Sequence, residues 1–251
     1  MKKTPYLPLL FALLGCSAPL AADEIRVAVA TNFIDVMEQL GKNFGEQSGH
    51  KVLVSSGSTG KLYAQIKNGA PFDVFLAADE ERPTLLDEEG VAIADSRFTY
   101  ALGKLVLWSP TADVVDETLQ VLKAQNFDFL AIANPRTAPY GRAAQQVLET
   151  LGCWEAVQPR MVRGENIGQA YQYVYSRNAQ LGFVAKSQIF KDDVFADGSY
   201  WQVPEYLYDP IVQQAVLLKE GTAARHLLDY LRSPAAARVI ESYGYGVVAA
   251  R

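Results

Sequence analysis

The chain has 251 residues, 49% of them hydrophobic, which is enough apolar surface to core one large or two small domains. Its net charge is −5 and no basic run occurs. This argues against a nucleic-acid partner, and it requires any anion site to work through local donors rather than the field of the whole molecule.

In chain order, Lys2-Lys3, the apolar residues 7–14 and the small residues Ala21-Ala22 read as a secretory signal peptide, residues 1–22, implying a periplasmic location. Leu13-Leu14-Gly15-Cys16 resembles a lipobox in which Cys16 would be acylated. Leucine before that glycine is uncommon, so soluble export is favoured. Later runs fall short of the ~18 apolar residues that a membrane-spanning helix needs. With Cys16 removed, Cys153 beside Trp154 is expected to be a buried, inert thiol. His50 and His226 lack metal-ligand spacing, and no nucleophile elbow or Ser-His-Asp order is present, so neither a metal-cation site nor an enzyme is expected.

From residue 25 onward, strand and helix signals alternate. Residues 25–30 read as a strand, and Phe33, Val36, Met37, Leu40 and Phe44 fall at helical spacing before Gly49. Residues 52–54 and 73–76 read as strands, each followed by a helix, over 62–66 and 80–87. Strands are predicted at 105–108, 130–133, 181–184 and 211–218, and helices at 143–151, 167–175, 223–231 and 234–243. Repeated β-then-α order predicts an α/β protein with mostly parallel sheets flanked by helices.

Four helix starts carry polar residues without acids: Thr31-Asn32, Ser58-Thr59 within residues 56–60, the segment 134–141 containing Tyr140, and Glu165-Asn166-Ile167, where the acid lies before the start. A helix start leaves backbone N–H groups unpaired and carries the positive end of the helix dipole, so it accepts anions. In open α/β sheets such starts lie beyond the carboxyl ends of strands, where ligands bind. Each start taken alone is also what a good N-cap looks like; the combination points to a binding cleft between two lobes. A fully deprotonated tetrahedral dianion offers acceptors only, so neutral donors suit molybdate, tungstate or sulfate better than hydrogen phosphate, whose proton a carboxylate would accept.

These residues carry a resemblance. Residues 27–33 (Val-Ala-Val-Ala-Thr-Asn-Phe), 57–66 (Gly-Ser-Thr-Gly-Lys-Leu-Tyr-Ala-Gln-Ile), 69–75 (Gly-Ala-Pro-Phe-Asp-Val-Phe), Gly182-Phe183-Val184-Ala185 and Tyr243-Gly244-Tyr245-Gly246 are similar to the periplasmic molybdate-binding proteins of ABC transporters, the ModA family. The resemblance implies a type II periplasmic-binding-protein fold, with lobe 1 formed by 23–104 and 208–251 and lobe 2 by 105–207. It implies a monomeric, non-catalytic receptor without cofactors that takes molybdate or tungstate in the interlobe cleft and delivers it to a membrane permease. The ligand set it implies is Thr31, Asn32, Ser58, Thr59, Tyr140 and Ile167. A tyrosine that ligates the anion in many members would fall at Ala185; the Tyr140 phenol is expected to take its place. The alternatives are a receptor for sulfate, thiosulfate or ferric ion, and an exported hydrolase or transferase acting on phosphate or sulfate esters.

Other features read as structural. Ser58-Thr59-Gly60-Lys61 lacks the glycine and the following Ser/Thr of a phosphate-binding P-loop. Tyr171, Tyr173 and Tyr175 spread around their helix rather than converge on a ferric ion. Asp79-Glu80-Glu81 reads as a solvated helix start, and Arg136 and Arg142 as rim or lobe-contact residues.

Overall fold

The structure, a computed structural model, describes residues 22–248. The expected signal peptide and Cys16 lie outside the described residues, apart from Ala22 at the expected cut. The first half comprises β1 (Glu24–Ala30), a 3-10 turn (Thr31–Phe33), α1 (Ile34–Ser48), β2 (Lys51–Gly57), α2 (Thr59–Lys67), β3 (Val74–Leu76), α3 (Glu81–Glu88), β4 (Phe98–Gly103), β5 (Leu105–Ser109) and α4 (Gln120–Lys123). Then follow β6 (Leu130–Ala133), α5 (Pro139–Thr150), α6 (Trp154–Val157), β7 (Met161–Gly164), α7 (Ile167–Tyr175), β8 (Leu181–Ala185), β9 (Phe190–Lys191), β10 (Val194–Phe195) and β11 (Ser199–Gln202). The chain closes with β12 (Ile211–Leu217), α8 (Thr222–Leu231) and α9 (Pro234–Ser242).

Two five-stranded sheets result, in the orders β2-β1-β3-β12-β4 and β11-β5-β8-β6-β7. Each has the expected parallel portion, β2-β1-β3 in the first and β7-β6-β8 in the second. Each is completed by antiparallel pairs, β12 with β3 and β4, and β5 with β8 and β11, so both sheets are mixed. The antiparallel strands lie where the chain passes between sheets, from β4 through Lys104 to β5 and back from β11 to β12.

Strand alternation explains how both faces of each sheet are buried. In β1, Val27 and Val29 face α1, α8 and α9 through Phe33, Met37, Leu227 and Ile240. Ala28 faces the other way, toward Leu62 and Ile66 of α2 and Leu86 of α3. In β5, Leu105 and Leu107 join a core with Val147 and Leu148 of α5, while Val106 and Trp108 join Val174 of α7. Gly49 stops α1 in the left-handed conformation at φ 75°, which a side chain would strain. No described helix is long and apolar enough to cross a membrane.

Candidate functional site

Four helix starts meet where the two sheets face each other. The turn after β1 brings Thr31 and Asn32, the end of β2 brings Ser58 and Thr59, the start of α5 brings Tyr140, and the start of α7 brings Asn166 and Ile167. All six residues expected from sequence line one cavity, whose empty volume is about 190 Å³. Three surface clefts are several times larger, at about 910 to 1330 Å³. The cavity is far smaller than these clefts, and no residue lining it carries a formal charge.

The backbone bonds leave a defined set of donors. At α2, the Gly60 N–H donates to Thr137 O at 2.9 Å and the Leu62 N–H to Ser58 O at 3.0 Å, which leaves the Thr59 and Lys61 N–H groups as first-turn donors that the helix cannot satisfy. At α5, Pro139 has no N–H, and the Gly141 and Arg142 N–H groups both reach Ala138 O, so Tyr140 carries the remaining first-turn donor. At α7, the Asn166 side chain accepts from the Gln169 N–H at 2.9 Å, a conventional N-cap. The Ile167 and Gly168 N–H groups remain.

The hydroxyls point the same way. Thr31 Oγ1 and Ser58 Oγ are buried without a hydrogen-bond partner in the protein, and both residues line the cavity. Thr59 Oγ1 accepts the Ala78 N–H at 3.0 Å, so its proton is still to be donated. A buried hydroxyl without a partner costs about 1–3 kcal/mol, and such groups in native proteins call for a ligand or water. Thr137 Oγ1 is a third orphan, on a residue that abuts Gly60 and does not line the cavity.

Asn32 and Tyr140 depart from the expected picture in how they take part. The Asn32 Nδ2 donors are both engaged, to Gln213 Oε1 at 2.9 Å and to the Tyr245 hydroxyl at 3.0 Å. Asn32 O in turn accepts from Ser187 Oγ at 2.9 Å and from the Tyr245 hydroxyl at 2.7 Å. The Tyr140 hydroxyl accepts from Gln213 Nε2 at 3.1 Å and lies against Gly103. Neither Gln213 nor Gly103 lines the cavity, so the phenol lies at the hinge, where β4 crosses to β5 and β12 returns, while Tyr140 itself is among the residues that border the cavity. Ala185 is fully buried, and its N–H donates to Gln188 Oε1. Burial pushes the Tyr100, Tyr140 and Tyr245 phenols above their ordinary value, so all three stay protonated.

Sequence reasoning missed Gln213. Its signal was two glutamines, Gln213-Gln214, inside the otherwise apolar run of β12, a polar interruption that buried strands rarely tolerate without a partner. Asp79 also differs from expectation. Its carboxylate is mostly buried rather than solvated, accepting from the Arg82 N–H at 3.1 Å and from Arg82 Nη1 at 2.8 Å. Burial raises its pKa, and Arg82 opposes the shift.

Arg142 donates to Glu81 at 3.1 Å and so bridges the sheets at the rim; Arg136 is exposed. Tyr171 stacks between Trp108 and Tyr175, away from any ligand set. His50 is buried against Phe44 and accepts the Asp23 N–H, whereas His226 is exposed. Cys153 is a half-buried free thiol, less enclosed than expected. Among the described residues no cluster of His, Cys, Asp or Glu could hold a metal ion.

A family model of bacterial extracellular solute-binding proteins matches residues 25–246. The chain is 52% identical over 238 residues to the molybdate-binding protein ModA of Azotobacter vinelandii, covering 94% of each chain. It is 46% identical to the molybdate-binding protein ModA of Rhodobacter capsulatus, covering 93% of this chain and 92% of that one. The solved periplasmic molybdate-binding protein of Azotobacter vinelandii superposes with a TM-score of 0.87 at 44% identity, covering 89% of this chain and 99% of that one.

Proposed function

The chain belongs to the ModA molybdate-binding proteins within the bacterial extracellular solute-binding family, and from that premise we propose that its four helix starts together hold one molybdate dianion. It is a non-catalytic receptor of an ABC transporter, without a cofactor. The reading of the site rests above all on one observation: an uncharged cavity bordered by two orphaned buried hydroxyls, Thr31 Oγ1 and Ser58 Oγ.

In this reading Thr31, Ser58 and Thr59 donate their hydroxyls, and Asn32, Thr59, Tyr140 and Ile167 donate backbone N–H groups. A dianion accepts at every oxygen and brings no proton that would need an acceptor. Each charge-assisted bond contributes about 1.5–3 kcal/mol net, so roughly half a dozen offset the dehydration of the ion. Tungstate, nearly equal in size and charge, fits the same donors. The absence of a carboxylate disfavours hydrogen phosphate.

The two lobes are 23–104 with 208–251, and 105–207, divided at the β4–β5 crossing and the β12 return. Residues 1–22 act as a signal peptide, delivering the protein to the periplasm and to its permease. Thermal melting of the purified chain tests the ligand. Molybdate and tungstate raise the melting temperature because they bind only the folded state; equal shifts with sulfate would refute the molybdate assignment.

A further inference from the structure

Two glycines, one on each side of the cleft, sit where the lobes touch. Gly60 is the second residue of α2, directly after Thr59; Gly168 is the second residue of α7, directly after Ile167. A Cβ on Gly60 would lie 3.2 Å from Thr137 O and 3.3 Å from Thr137 Cα, tight enough that the backbone opposite must give by a few tenths of an ångström. The same seam carries the bond from the Gly60 N–H to Thr137 O at 2.9 Å. A Cβ on Gly168 would meet Thr31 Cγ2 inside the 3.0 Å limit of real contacts.

The arrangement is reciprocal. A glycine of the first lobe abuts a threonine of the second, and a glycine of the second abuts a threonine of the first. We infer that Gly60 against Thr137 and Gly168 against Thr31 are the stops that set how far the lobes close, and that they fix the cavity to the size of the bound oxyanion. This rests on the oxyanion-receptor reading above.

The two stops act differently. The Gly60 contact is with backbone, which no rotamer change can relieve, so a methyl there holds the walls apart. The metal–oxygen bonds of molybdate are longer than the sulfur–oxygen bonds of sulfate by a margin also measured in tenths of an ångström, so a shift of that size matters. The Gly168 contact is with the methyl of a β-branched residue that has few rotamers. Relieving it turns Thr31 about χ1 and swings the orphaned Oγ1 off the cavity. Gly60 is therefore a specificity-determining residue through closure, and Gly168 a positioning residue through Thr31.

Calorimetry on the purified chain and on Gly60→Ala, Gly168→Ala and Gly221→Ala tests this, with molybdate, tungstate, sulfate and phosphate as the probes. Gly221 is the control, since a Cβ there meets nothing within 4 Å. The first two variants lose tenfold or more in affinity for the preferred anion, while Gly221→Ala keeps wild-type affinity, and a cooperative ligand-free melting transition shows that each variant is folded. In Gly60→Ala the ratio of molybdate to sulfate affinity also falls. Sulfate, too small to span both walls, has less to lose. Affinity within twofold of wild type in both variants, or an unchanged ratio in Gly60→Ala, overturns the inference. A wild-type preference for sulfate refutes the molybdate reading and leaves the stops tested with sulfate. Wild-type protein that binds none of the four anions overturns both.

Discussion

Gln213 Nε2 lies 3.1 Å from the Tyr140 hydroxyl, joining the strand that returns to the first sheet to the start of α5, which borders the cavity between the sheets. Through its Oε1 the same amide receives Asn32 Nδ2 and the Tyr100 hydroxyl, at 2.9 and 3.0 Å. One buried side chain thus ties two of the four helix starts to the hinge. A satisfied buried network of this kind rigidifies its surroundings, and a broken one is expensive.

Gln213→Leu leaves Asn32 Nδ2 short of an acceptor and removes the donor to Tyr140. At about 1–3 kcal/mol per orphaned buried group, it lowers unfolding stability by about 3 kcal/mol, and molybdate affinity falls because Asn32 and Tyr140 lose their anchor. Urea denaturation and calorimetry measure the two effects. A loss below about 0.5 kcal/mol, typical of a surface change, would show that the network does not carry the hinge.

Ser58 and Thr59 separate binding from stability. Ser58→Ala removes a hydroxyl that has no protein partner, so the ligand-free protein is as stable as wild type or more so. Its molybdate affinity falls by about tenfold to a hundredfold, the worth of one charge-assisted bond. Thr59→Val loses affinity similarly but also orphans the Ala78 N–H, so its ligand-free stability drops by about 1–3 kcal/mol. Equal stability losses in the two variants would contradict the assignment.

The fold and the outline of this site were legible because local physics decides them. The helix at 167–175 follows from an Asn N-cap and an apolar face, and the turn at Thr31-Asn32 from a strand ending in polar residues. Gln213 and Ser187 were not legible as site supports, since their partners lie 181 and 155 residues away in sequence at Asn32. The direction of the Asn32 amide was missed for the same reason: sequence places the residue at the helix start, but its acceptors come from β12 and from the chain end. Asp79 looked solvated because its burial comes from tertiary packing, even though its partner Arg82 lies only three residues on.

Alkaline pH weakens the fold through three buried phenols. Tyr100, Tyr140 and Tyr245 are raised above 10.0 chiefly by burial. A raised folded pKa contributes stability that is fully present below the unfolded value of 10.0 and is lost above it, as the unfolded chain ionises and the folded one does not. Melting temperature stays flat in this respect through neutral pH and falls beyond about pH 10. Phenolate absorbance shows the three tyrosines titrating only with unfolding. Ordinary titration of Tyr100, Tyr140 and Tyr245 in the folded chain would contradict this.

The ion pair across the rim is a weak clasp. Arg142 and Glu81 are each about half exposed, at 47% and 50%, and exposed pairs contribute at most about 1 kcal/mol. Arg142→Ala therefore changes molybdate affinity by less than about fivefold, and the difference disappears in high salt. A hundredfold loss would make Arg142 a ligand.

The most direct measurement is a calorimetric titration of the purified chain with molybdate and sulfate at low and high salt. Neutral donors predict tight one-to-one binding of molybdate, at least a hundredfold weaker binding of sulfate, and molybdate affinity that changes little with salt. Comparable affinity for sulfate, or a steep salt dependence revealing a charged side chain at the ion, would contradict the account.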